Sequence, residues 1–62
     1  MDYIIGTTQN PVQFYEFDLN TASVRQLHDK LDVRAVTVFS RKDDAKEAAI
    51  AAGLQTWRYI RI

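Results

Sequence analysis

The sequence predicts an α+β fold with element order ββαβαβ, a four-stranded mixed sheet carrying two helices on one face. Three patterns predict it. Apolar and aromatic residues crowd two short segments on either side of Asn10-Pro11. A β-branched run, Val33 to Phe39, follows a helical spacing at Val24, Leu27, His28 and Leu31. A stripe of alanines, Ala45, Ala48, Ala49 and Ala52, then precedes Gly53 and a last apolar segment.

The first strand is expected over Asp2–Thr7 and the second over Val12–Leu19. Asn-Pro between them marks a turn, and two strands so close in sequence read as an antiparallel hairpin. Asn20-Thr21-Ala22-Ser23 is a cluster of helix-capping residues, with Ser23 and Gln26 spaced as a capping box. The stripe that follows, at i, i+3, i+4 and i+7, predicts the first helix. Val33–Phe39 is nearly all apolar and β-branched, so it is expected as a central strand covered on both faces.

Ser40-Arg41-Lys42-Asp43 reads as a second helix cap, with Asp43 and Asp44 in the first turn, where the helix dipole favours anions. The small alanine face allows this helix to lie close to a sheet. Gly53 supplies the left-handed conformation that ends it. Gln55–Ile62 is the last strand. Right-handed crossovers make strands two, three and four parallel and put both helices on one face. The other face is then open, or closed by a partner.

Alternation assigns the side chains. Tyr15, Phe17 and Leu19 should lie under the helices, with Phe14, Glu16 and Asp18 on the opposite face. In the last strand, Arg58, Ile60 and Ile62 suit the helix side, and Trp57, Tyr59 and Arg61 the open side.

The chain has 62 residues, one domain's worth over 1–62. A domain of that size buries roughly 60% of its unfolded surface and gains about 3–5 kcal/mol from one core. It has no cysteine and one histidine, so neither a disulfide framework nor a structural zinc site is expected. The N-terminus lacks a basic region followed by a long apolar run, and no stretch approaches the length of a membrane span. The expected compartment is the cytoplasm, with no membrane partner. Eight bases balance eight acids. They are unevenly spread: residues 1–20 hold three acids and no base, and residues 41–62 hold five bases and three acids. Zero net charge removes the general field that drives non-specific nucleic-acid binding.

The residue types argue against catalysis. His28 has Asp29 beside it, but neighbours in a helix do not face each other. Glu16 and Asp18 could share a cation, but a dedicated site needs further ligands, and pairing with Arg34 or Arg61 explains them as well. Ser40-Arg41-Lys42 could receive a phosphate at a helix N-terminus, but it lacks a glycine-rich loop, and Asp43 and Asp44 follow at once. No enzyme activity, metal or cofactor is expected.

What remains is recognition. Trp57, Tyr59 and Arg61, with Phe14 beside them, have the composition of a protein interface. Their alternative role is packing in the core. The leading expectation is a small non-catalytic regulator or inhibitor that binds another protein through an open sheet face or edge strand. A homodimer closed through the same surface is a second possibility. So small a chain starting at Met1 also fits accessory proteins of phages and mobile elements, an expectation from size alone. The rival class is a nucleic-acid-binding domain using Arg41, Lys42, Lys46, Arg58 and Arg61, with an aromatic residue stacking on bases.

Overall fold

A computed structural model describes all of residues 1–62. It contains β1 (Tyr3–Gly6), β2 (Phe14–Asp18), β3 (Ser23–His28), α1 (Lys42–Ala51) and β4 (Arg58–Arg61). The fold is α+β with a four-stranded sheet, as the composition implies, but the order is βββαβ. There is one helix, and every strand pairing is antiparallel, in the order β3-β2-β1-β4.

The expected first helix is β3, and the reason lies in its register. Leu27 pairs with Tyr15 and Val24 with Phe17, and the register shifts between Glu16 and Phe17. Two positions on β2 therefore face three on β3, which makes Arg25 the extra residue of a β-bulge. The bulge stretches a two-residue repeat to three. Val24 and Leu27 share a sheet face at a spacing that imitates a helix.

The expected central strand, Val33–Phe39, is also not a strand, although it reaches the middle of the sheet. Asp32 starts a tight turn: its carbonyl accepts from the N–H groups of Ala35 and Val36, and its side chain from Arg34 N–H. The chain then runs between β1 and β2. Those strands pair only at Gly6 and Phe14 and separate beyond that point. Phe39 fills the gap on the β1 side, exchanging backbone bonds of 2.7 and 2.8 Å with Tyr3. Thr37 fills it on the β2 side. Its hydroxyl accepts from Phe17 N–H at 2.7 Å and donates to Phe17 O at 3.3 Å.

Helix α1 begins after Arg41, without a side-chain cap, so Ser40 does not serve as one. Its end follows expectation. Gly53, at φ +81°, donates to Ile50 O, and Leu54 donates to Ala49 O, the two bonds of a Schellman motif. Ala45 and Ala49 are fully buried against the sheet. Ile5, Phe17, Phe39 and Ala45 form the core, with Tyr3, Tyr15, Val24, Trp57 and Tyr59 packed around it.

The opposite face is not open along β1. Ile4 and Ile5 point to opposite sides, and both are 0% exposed. Beside Ile4, a Cβ on Gly6 would come within 2.6 Å of Ile60 Cδ1 and 3.0 Å of Val12 Cγ2. The far side of the sheet thus has a small apolar layer of its own.

Substitutions at Thr37 and Gly6 check this packing. Thr37→Val keeps the shape and removes the hydroxyl, leaving Phe17 N–H unpaired. It should cost about 1–3 kcal/mol in denaturant unfolding, whereas Thr37→Ser should cost less than about 1 kcal/mol. Gly6→Ala should cost about 1 kcal/mol by overpacking. The loss should shrink in an Ile60→Val background, which removes the atom it strikes.

Candidate functional site

The register sets the direction of each residue expected at an interface. Ile5 pairs with Tyr59 and Tyr3 with Arg61, so Tyr59 and Arg61 share the helix side of the sheet with Ile5. Trp57 and Tyr59 are half-buried against the core cluster, and Arg61 is exposed. Phe14 is half-buried on the far side, since it pairs with Gly6 and faces with Glu16. Trp57, Tyr59 and Arg61 are brought together, and Phe14 is not beside them. Ile60 takes the side that the alternation had assigned to Tyr59.

Below the helix, Lys42 Nζ sits 4.8 Å from the centre of the Tyr59 ring, a cation–π contact. Lys46 stands one turn further along the same helix flank. Arg41, Lys42, Lys46 and Arg61 are exposed on or beside the helix side, while Arg58 points to the far side. The five bases therefore do not form one surface, and Lys42 covers one face of the Tyr59 ring.

The backbone of β4 is as informative as its side chains. β4 is an edge strand, paired only with β1. Ile62 and Asp2 exchange two backbone bonds, of 3.0 and 3.2 Å. In an antiparallel ladder, alternate residues bond to the neighbour. Ile62 and Ile60 therefore bond to β1, and the N–H and C=O groups of Arg61 and Tyr59 point away from it. Tyr3, opposite Arg61, correspondingly gives its own backbone groups to Phe39 on its other side. The β4 ladder runs unbroken from Arg58 to Arg61, whereas the other edge, β3, carries the bulge.

On the far side of β2 and β3, Glu16 meets His28 at 2.8 Å and Arg25 at 3.7 Å. These partners differ from Arg34 and Arg61, because His28 lies on a strand beside Glu16 and not on a helix. No group of three or more His, Asp or Glu side chains comes together in metal-binding geometry.

A cleft of about 380 Å³ opens on the helix side, between α1 and the turn after β2. Phe17, Phe39 and Ala48 line it with apolar surface, and Leu19 stands at its mouth, 62% exposed. Asp44 and Glu47 supply its charge, while Asp18 borders it at the end of β2, where alternation turns its side chain to the far face with Glu16. Reading Asp44 only as a dipole partner hid this group. The signal was the spacing of Asp44, Glu47, Ala48 and Ala51, which shares one helix flank.

Comparison with protein-family models, with curated proteins and with solved structures finds no match. No helix is long and apolar enough to cross a membrane.

Trp57→Ala should cost about 2 kcal/mol, because a half-buried indole leaves the edge of the core. Thermal unfolding will show a lowered midpoint. Trp57→Phe, which keeps an aromatic ring there, should recover most of the loss.

Proposed function

We propose that this chain is a non-catalytic interaction module that binds another protein along β4, which receives an added strand. The outward backbone groups of Tyr59 and Arg61 on an unbulged edge carry the reading. An exposed strand edge is a template for pairing, and main-chain bonds give such complexes their affinity. Tyr59 and Arg61 then flank the incoming strand, with Trp57 where the chain enters β4. The exposed guanidinium of Arg61 favours an acidic residue on the partner.

The test is affinity capture from the native host lysate with the tagged chain, repeated with two variants. Arg61→Ala removes the side chain only. Arg61→Pro also removes an N–H that β1 does not use, a position where an edge strand tolerates proline. Arg61→Pro should retain the partner at least about tenfold more weakly than Arg61→Ala, with both folded. Equal retention by the two variants overturns the edge as the binding site. Light scattering identifies the case in which the added strand belongs to a second copy.

A further inference from the structure

The cleft under α1 is separate from the β4 edge, which lies beyond β1 in the sheet. We propose that it is a second docking site, for a partner segment carrying an apolar side chain flanked by lysine or arginine.

Shape and charge both point to that occupant. The floor is apolar, from Phe17, Phe39 and Ala48, and Leu19 remains exposed at the mouth although it is large enough to belong in a core. The volume is that of a pocket for a side chain or two. Both charged helix side chains at its rim are acidic: Asp44 and Glu47. Neither has a cation partner, since the ion pairs of the chain are those of Glu16 with Arg25 and His28. Asp18 Oδ1 accepts from the N–H groups of Asn20 and Thr21, which holds the turn beside the cleft in place. An anionic ligand meets two like charges here. A purely apolar ligand leaves them uncompensated.

Helix α1 separates this chemistry from the rest of the surface. Asp44, Glu47, Ala48 and Ala51 face the cleft, while Lys42 lies on the opposite flank, over Tyr59. The buried alanines between the flanks bring the helix close to the sheet, and the acids line the same cleft as the apolar floor. A cationic side chain can reach them while its apolar neighbour fills the cleft. Long-range steering adds to that selection and weakens with salt.

The experiment uses the full chain labelled with ¹⁵N and the peptide acetyl-Gly-Arg-Leu-Phe-Arg-Gly-amide as probe. The expected result is saturable movement of the Leu19, Ala48 and Ala51 amide signals. A control peptide with glutamate in place of both arginines should leave them still. Glu47→Lys, at an exposed position, should weaken the probe at least about tenfold with unchanged thermal unfolding. Leu19→Ser, also exposed, should weaken it through the apolar contact. The proposal is overturned if no saturable movement occurs up to about 5 mM probe. It is equally overturned if the acidic control binds as well, or if the signals that move belong only to β4. That last outcome would bear on the edge site alone.

Discussion

Thr37 and Phe39 hold apart two strands that would otherwise be neighbours along their whole length. β1 and β2 pair only at Gly6 and Phe14, and the rest of the gap is bridged by the Tyr3–Phe39 backbone pair, the Thr37 hydroxyl and a long bond from Thr37 N–H to Tyr15 O. Much follows from that short insertion. It carries the Phe39 ring into the core, where it meets Phe17 edge to face at 6.0 Å. It delivers the chain directly to the start of α1, which then lies over β1. It also leaves β4 to pair on the outer side of β1 and so to become an edge. A chain with so few buried residues has little redundancy, and a partly buried hydroxyl bond at its centre matters more than it would in a larger core.

The helix has three faces with three jobs. Ala45 and Ala49 make the contact with the sheet, and their small size determines how close that contact is. One flank carries Lys42, stacked on Tyr59, and the other carries Asp44 and Glu47 over the cleft. A chain of zero net charge thereby presents two surfaces of opposite sign. The balance of its composition conceals this arrangement, because the acids and bases alternate along the helix sequence and separate only when it is wound.

Some of this was legible beforehand. The alanine stripe and Gly53 identified α1, its buried face and its end. Tyr15 and Phe17 do lie under the helix, because β2 alternates without interruption between them, whereas Leu19, expected beside them, lies past the end of β2 and is exposed. Failure came wherever a local irregularity altered the repeat. One bulged residue, Arg25, turned strand spacing into apparent helix spacing. Val33–Phe39 has the composition of a strand, but Asp32 begins it with a turn, and its pairing with the sheet is reduced to one isolated bridge at Phe39 and a long bond from Thr37 N–H. The faces of β4 depend on its pairing with β1, and no property of residues 57–62 alone decides that. The acids at the cleft belong to one helix flank, but the apolar floor that gives them meaning comes from distant positions.

The two edges of the sheet differ in a way that governs stoichiometry. A strand added to β4 meets a regular row of donors and acceptors, whereas one approaching β3 meets the kink at Arg25. Growth by repeated addition needs two receptive edges on every unit, one to accept and one to offer. A molecule with a single receptive edge closes after one event. On the proposed use of β4, the bulge leaves each chain one regular edge, a geometry that favours a one-to-one complex or a closed pair over a filament.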